Sequence, residues 1–489
     1  MRILQALIAT GLAGLGAAPA QDQDVVALLR VQLDAQNEQM RQMNARIQAL
    51  EQLVARVAGS TPAVAAAAPV LPEAEPRPSQ NPAAAPDPPV RLHLSGYADF
   101  TTVYRSAFTA SGIATAFGSI PLKQAPEAQL GEFRGAANHS RISLQLNTRL
   151  AGRDLEAYAE MDFLGNAQPN VFAGSNSHTF RLRQYWAQFR GTRWELLGGQ
   201  TWTLLTLNRN GISPISPEIM HTQLPDPNYS VGLVWTRQGT IRVVRHWKRL
   251  HIAAALENPE QEILDPTEVS PDVRGLATRS NPGSNIRPDS LFKVAYDTSV
   301  AHLETTFIGR SFQTYSIAND HRSRRLGYGL AFGGVIHAGR QIDLVSQNFA
   351  SAGGGRYAQG LVPDVVVRPD GQIARVTTFS TLQGVEAKLT RQLLAYGYYG
   401  LVYGKRAVYR TPSGSLIGFG VFHGSPLENR TVSQTSVGFR HTVWRQENYG
   451  ALSYSLNYSY LIRKLWEAAP AGDQGHAHMV YTSFRYNLP

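Results

Sequence analysis

The sequence contains no cysteine. This absence excludes disulfide frameworks, thiolate metal sites and cysteine nucleophiles. In an oxidising compartment, a long chain without thiols also avoids mispairing while it folds. Charged residues make up only 17% of the chain. Even so, the chain beyond its start has no run of about 18 apolar residues, which a membrane-spanning helix would need. If this chain crosses a membrane, it must therefore cross as strands.

The first twenty residues have the pattern of an export signal. Arg2 provides the positive start, residues 3–16 form a short apolar stretch, and Ala18-Pro19-Ala20 supplies small residues before a cleavage site. The apolar stretch is shorter than the roughly 20 residues that a membrane anchor needs. We therefore expect residues 1–20 to be removed and the mature chain to begin at Gln21.

A heptad repeat extends over residues 21–57. Its apolar residues recur in alternating steps of three and four, which predicts a coiled coil rather than a single helix packed on a core. The stretch 46–51 resembles a short trimerisation motif in which the arginine pairs with the glutamate of a neighbouring helix; an ordinary solvated ion pair is the alternative. The predicted trimer contacts are Met40, Met43, Arg46, Ile47, Leu50, Glu51 and Val54.

Residues 58–90 are dominated by alanine and proline. Proline at this density prevents helix and sheet and favours an extended spacer. The coiled coil and spacer together are long enough to reach the cell wall, so a tether that contacts peptidoglycan is an alternative role for them. No recognisable wall-binding module accompanies them, which favours a clamp that holds a homotrimer together.

Residues 91–489 alternate between apolar and polar side chains with period two. In 91–105, for example, Leu92 and Phe100 share one face, and Ser95 and Asp99 share the other. Segments of about ten such residues are typical of strands that cross an outer membrane with their apolar face toward lipid. Long loops rich in Gly, Pro, Asn and Ser alternate with short turns. About eight loops and seven turns predict an all-β antiparallel barrel of about 16 strands. The turns are predicted at 151–153, 191–193, 248–249, 297–299, 339–340, 391–392 and 446–448.

A barrel of about 16 strands encloses an aqueous lumen, so its inward side chains define the solute. The formal net charge of +10 and the fixed charge of arginine predict a lining that favours anions. Acidic residues on neighbouring strands could instead neutralise the arginines and leave a nearly neutral lining. Nucleic acid is not expected as a partner of an exported chain. The candidate pore-lining residues are Arg141, Arg149, Arg181, Arg183, Arg242, Asp99, Glu156 and Glu160.

The segment 204–228 is the predicted constriction loop. It follows Gly199-Gln200-Thr201-Trp202 and contains Gly211, Pro214, Pro217, Pro225 and Pro227. Such a composition favours a loop with a fixed backbone conformation over a flexible outer loop. An ordinary surface loop is the alternative interpretation.

The order of signal, heptads, spacer and barrel resembles that of the DcaP-like trimeric outer-membrane porins. The local stretches 181–185, 199–202 and 255–259 are also similar to that family. The resemblance implies a 16-stranded trimeric barrel in outer-membrane lipid that passes small anionic solutes such as dicarboxylates. The phosphate-selective porins, which are similar in layout, are the alternative family.

Enzymatic activity is not expected from the local motifs. The 13 histidines are scattered, and neither a Gly-x-Ser-x-Gly elbow nor a His-Glu-x-x-His pair is present. We therefore predict no catalytic residues, no metal and no cofactor.

The heptad repeat leads to a prediction about assembly. Deletion of residues 21–57 should slow or weaken trimer formation and leave the barrel able to fold, because the two regions have separate hydrophobic surfaces. Heat dissociation of the trimer, followed by native electrophoresis, measures this. A trimer of unchanged heat stability would assign the helix to another task, such as wall contact.

Overall fold

The computed structural model describes residues 90–150, 152–165, 178–215, 230–263, 273–277, 282–422, 424 and 428–489. The predicted signal, coiled coil and spacer lie outside these residues and stay predictions. The described part of the chain is built almost entirely of strands. None of its helices is long and apolar enough to cross a membrane.

Twenty-two strands form within the described residues. Alternating apolar and polar residues favour strands because successive side chains then point to opposite faces of the sheet. The strands are β1 Arg91–Arg105, β2 Glu132–Ala136, β3 Arg141–Leu150, β4 Arg153–Asp162, β5 Arg181–Arg190, β6 Trp194–Trp202, β7 Arg237–Trp247, β8 Leu250–Glu257, β9 Val273–Arg274, β10 Asp289–Asp297, β11 Ala301–Ser316, β12 His321–Ala338, β13 Ile342–Ala352, β14 Val365–Val367, β15 Ile373–Arg375, β16 Thr377–Lys388, β17 Leu393–Gly404, β18 Ala407–Arg410, β19 Leu416–Phe419, β20 Asn429–Gln446, β21 Gly450–Ala469 and β22 Gly472–Asn487.

Sixteen of these strands form one closed antiparallel barrel, as predicted. β1 closes it, because residues 91–97 pair with β3 and residues 97–105 pair with β22. The short strands β2 and β9 add to the sheet beside the ends of β1 and β11. β14–β15 and β18–β19 form separate hairpins within long connections.

Seven short turns lie at one end of the barrel, here called the turn end, and they coincide with the predicted turns. The opposite end, here called the loop end, carries the other connections. The expected strict alternation of long and short connections is wrong at two places, where only 317–320 and 470–471 join β11 to β12 and β21 to β22. These strands are 16 to 20 residues long. Their extra length forms paired hairpins instead of irregular loops.

The two faces of the wall differ as the sequence pattern predicts. On β1, Leu92, Leu94 and Phe100 are exposed on the outside of the barrel, whereas Asp99 and Thr101 on the inward face are buried. A band of exposed apolar side chains around the outside is the surface that lipid covers in a membrane barrel. The inward face of β1 is polar at these positions, so any pathway for a solute must run through the interior.

Candidate functional site in the barrel lumen

The connection between β6 and β7 turns into the barrel. Its described parts, 203–215 and 230–236, are here called the inserted segment. Leu204, Leu205, Leu207, Val231 and Leu233 are almost completely buried in it. Apolar side chains in such numbers exclude an exposed surface loop, because their burial against the wall is favourable.

The first part of the inserted segment follows the inner wall from the loop end toward the turn end. The Leu204 N–H donates to Glu257 on β8 over 2.7 Å, and the Asn208 N–H donates to Glu304 on β11 over 3.1 Å. The Gly211 N–H donates to Asp297, the last residue of β10, over 2.9 Å. Carboxylates of the wall therefore accept hydrogen bonds from backbone N–H groups that have no partner in regular secondary structure here.

The second part of the inserted segment crosses neighbouring strands. The Val231 N–H donates to Gln434 on β20 over 2.9 Å, and the Val234 N–H donates to Gln347 on β13 over 3.0 Å. Between them, a Cβ added to Gly400 on β17 would lie 1.7 Å from the Val231 carbonyl oxygen. Glycine is therefore required at this position, because any side chain would displace the segment.

The predicted constriction loop therefore enters the barrel in its described part, 204–215, which lies against the inner wall. Residues 216–228 of that prediction lie outside the described residues. The wall beneath the segment is apolar on its inner face too, where Leu291, Ile308 and Phe349 are buried. Strands with apolar residues on both faces are the sequence signal for this covered wall.

Lys293 shows how charge is accommodated under the inserted segment. Its ammonium group is fully buried, donates to Glu304 over 2.6 Å and donates to the Thr206 carbonyl oxygen over 2.9 Å. A buried charge requires such a partner because desolvation without one is costly. Lys293, Glu304 and Glu257 were missed as functional candidates, since only the folded loop brings them together.

The wall formed by β3, β4 and β5 carries a ladder of ion pairs. Arg183 bridges two carboxylates, with 2.7 Å from Nε to Glu160 and 2.8 Å from Nη1 to Asp162. Arg181 lies 2.6 Å from Asp162, and Arg141 lies 3.6 Å from Glu160. Four of the predicted lining residues thus form one network, together with Asp162.

A second group extends the ladder toward the turn end. Arg190 lies 2.7 Å from Glu156 and 3.3 Å from Glu195. Arg190 was not among the predicted lining residues; it is the last residue of β5, directly before the turn at 191–193. With it, the arginines 141, 181, 183 and 190 face the carboxylates 156, 160, 162 and 195, so the formal charges of the ladder balance.

The ladder is nevertheless asymmetric in exposure. The side chain of Arg181 is 36% exposed and that of its partner Asp162 is 1% exposed. The side chain of Arg190 is 42% exposed and that of Glu156 is 4% exposed. Arg141 is also more exposed than Glu160, at 16% against 7%. The guanidinium groups of Arg141, Arg181 and Arg190 therefore lie nearer to water than the carboxylates that balance them, whereas Arg183 is buried with its partners.

The other predicted lining residues occupy different environments. Asp99 is buried and accepts from Arg485 on β22 over 2.5 Å. Arg242 is buried and donates to the Trp202 carbonyl oxygen over 2.6 Å, at the start of the inserted segment. Arg149 is exposed near the turn end and pairs with the exposed Asp154 over 2.9 Å. Asp99 therefore stabilises the closure of the barrel, Arg242 stabilises the inserted segment and Arg149 stabilises the turn end. None of the three joins the ladder.

Two long connections meet at the loop end. The Glu262 N–H donates to Asp364 over 2.8 Å, and Arg356 pairs with Glu260. Burial and then the nearby charge of Asp364 raise the pKa of Glu262, Arg356 lowers it, and the result is a pKa of about 7. Glu262 is therefore the acidic group of this cluster that changes charge near neutral pH.

Within the described residues, no group of three or more His, Asp or Glu side chains is arranged to hold a metal ion. The polar groups of the lumen are instead engaged with one another across the wall and with the inserted segment. The arrangement can orient and attract a charged solute. It offers no nucleophile with an activating base among the contacts described above.

Comparisons with known proteins find similar folds among solved structures. No protein-family model and no curated protein matches the sequence. The outer membrane channel DcaP of Acinetobacter baumannii is similar in structure, with a TM-score of 0.59 and 14% identity over 82% of this chain and 97% of that chain. An anion-selective porin from Comamonas acidovorans has a TM-score of 0.49 and 13% identity, over 82% of this chain and 100% of that chain.

The fold of this chain is therefore that of the outer-membrane channels. Among them it shares the architecture of DcaP, which confirms the predicted resemblance at the level of the fold. At 14% identity the likeness carries no information about the solute.

The ladder predicts different costs for two neighbouring arginines. Arg183→Gln leaves two buried carboxylates without their shared partner and should destabilise the barrel by about 3–5 kcal/mol. Arg181→Gln is the matched control and should cost about 1 kcal/mol or less, because its side chain is partly exposed and Asp162 keeps Arg183. Urea unfolding in lipid measures both. Equal losses would contradict the bridging role of Arg183.

The loop-end cluster predicts a pH dependence. The pKa of Glu262 is about 7 in the folded chain, against an ordinary value of 4.5. Between these two pH values the folded loops therefore bind more protons than the unfolded chain does. Their stability should fall as pH rises through this window and level off above about 7. Hydrogen-exchange protection of residues 258–263 measures it, and Glu262→Gln should remove the dependence. Protection that rises with pH would refute the assignment.

Proposed function

We propose that this chain forms a passive diffusion channel of the outer membrane for small hydrophilic solutes, with a preference for anions. The observation that carries the proposal is the asymmetry of the ladder. Three of its four arginines, Arg141, Arg181 and Arg190, lie nearer to water than their carboxylates. A solute that passes along this wall meets positive charge first, although the formal charges balance.

The inserted segment strengthens the proposal. Most of its described contacts lie on the wall from β8 to β20, such as those with Glu257 and Gln434, and at its end Ile215 packs against Tyr158 and Trp186 on β4 and β5. We infer that the aqueous path runs beside the part of the wall formed by β3, β4 and β5 that the segment leaves uncovered, where the exposed arginines of the ladder lie. A low-dielectric wall around a narrow path focuses the field of fixed charges and biases which ion enters.

Small dicarboxylates are the solutes that we infer for this path. Guanidinium groups bind carboxylates through two parallel hydrogen bonds. Several arginines along one wall can therefore bind such a solute in succession as it passes. Phosphate is bound by the same chemistry and is the alternative anion.

We further propose that the channel is a homotrimer in the outer membrane, with the predicted coiled coil in the periplasm. The heptad repeat and its trimerisation-like stretch support the trimer. The likeness of the fold to an outer-membrane channel supports the location.

Uptake of matched solutes into liposomes tests the proposal. Succinate should enter faster than 1,4-diaminobutane, and the difference should shrink as salt rises, because ions screen the field over about 10 Å at 0.1 M. Arg141→Gln with Arg181→Gln should reduce the ratio by about fivefold, since unit charges about 4 Å apart interact by about 1 kcal/mol in water.

Arg149→Gln is the control for this experiment, because it removes a charge of the same kind at the rim and should leave the ratio unchanged. Equal entry of the dianion and the dication would contradict the proposal. Phosphate that enters much faster than succinate would reassign the channel to the alternative anion.

A further inference from the structure

The long hairpin of β11 and β12 carries arginines at its loop end. Arg322 pairs with Tyr315 across the hairpin, and Arg324 pairs with Gln313. Both arginines are exposed. The ladder and the inserted segment do not involve them, so the lumen function leaves them unexplained.

Alternation along β12 assigns these arginines to the outside of the barrel. Leu326, Tyr328 and Leu330 are exposed on the outward face, whereas the residues between them are buried. Arg322 and Arg324 have the same parity as Leu326, and successive side chains of a strand point to opposite faces. They therefore continue the lipid-facing row beyond its last apolar residue, Arg324 by roughly 7 Å and Arg322 by roughly 14 Å, at about 3.4 Å per residue.

Arg375 adds a third guanidinium group to this row. It lies 5.0 Å from the centre of the Tyr328 ring and donates to the Leu326 carbonyl oxygen over 2.9 Å. The cation is therefore held on the outer side of the wall, at the boundary between the apolar band and the arginines above it. We call Arg322, Arg324 and Arg375 the outer arginine patch.

The charge of this patch is not balanced locally. Within the described part of the chain, no carboxylate lies at ion-pair distance from Arg322 or Arg324. The nearest acidic residue along the hairpin, Asp320, accepts a hydrogen bond from the Tyr315 hydroxyl. Asp370, in a neighbouring loop, pairs with Arg368 over 3.2 Å. Exposed arginines without acidic partners fit an anion supplied from outside the chain.

We propose that the outer arginine patch binds the phosphate groups of a lipid in the leaflet that surrounds the loop end. Guanidinium groups bind phosphate through two parallel hydrogen bonds. The outward apolar row directly below the patch would contact the acyl chains of the same molecule. A free anion would gain nothing from that row, so charge and apolar surface together favour a phosphorylated lipid.

Native mass spectrometry of the full chain in detergent tests this, with bis-phosphorylated lipid A as the probe. Arg322→Gln with Arg324→Gln should weaken binding about 25-fold, because each cation at a charged lipid surface contributes about fivefold, or roughly 1 kcal/mol. Arg340→Gln with Arg391→Gln is the matched control. These two exposed arginines lie at the turn end, and their removal should leave binding unchanged.

Two further arms separate the sources of phosphate. Dephosphorylated lipid A should bind as weakly to the wild-type chain as the bis-phosphorylated lipid binds to the Arg322→Gln, Arg324→Gln variant. Millimolar inorganic phosphate should not displace the bound lipid. Equal affinity of the variant and the wild-type chain, or binding that does not depend on the lipid phosphates, would overturn the proposal. Displacement by inorganic phosphate would also overturn it and identify a site for free anions.

Discussion

Backbone hydrogen bonding in a membrane is the constraint on which the rest of this structure depends. Hydrocarbon offers no partner for an N–H or a C=O group, so a sheet that crosses it must close on itself. β1 provides the closure by pairing with β3 along its first half and with β22 along its second half. Once the sheet is closed, each side chain faces either lipid or the interior, and the alternation of the sequence decides which.

The polar interior then has its own constraint, since buried charges need partners. On one wall the carboxylates of β4 meet arginines of β3 and β5. On the other wall, carboxylates and amides accept the backbone N–H groups of the inserted segment. The same demand for partners therefore builds the ladder and fixes the loop. Because carboxylates lie beneath three of the four arginines, a ladder whose formal charges balance can still present positive charge to the lumen.

The strand count and the seven turns could be predicted from sequence because both depend on local signals. Period-two alternation defines a strand, and turn residues end it. Partners distant along the chain could not be predicted in the same way. Asp99 and Arg485 are 386 residues apart, and only closure brings them together, so Asp99 was expected at the lumen surface instead of in the wall.

The inserted segment was predicted in part, from the prolines and glycines that suggest a fixed path. Its contacts with Glu257, Glu304 and Gln434 depend on where the loop lies in three dimensions, which composition does not encode. The two extended hairpins were missed for a related reason. Polar outward residues such as Arg322 and Arg324 look like loop residues in sequence, although they are paired strand residues beyond the apolar band.

The central claim is that the lumen presents positive charge to a passing solute. The reversal potential of the purified wild-type channel in a planar bilayer, across a potassium chloride gradient at low salt, tests it most directly. The account predicts a reversal potential with the sign of the chloride equilibrium potential, which moves toward zero as both salt concentrations rise. A reversal potential of the opposite sign, or one near zero at low salt, would contradict it.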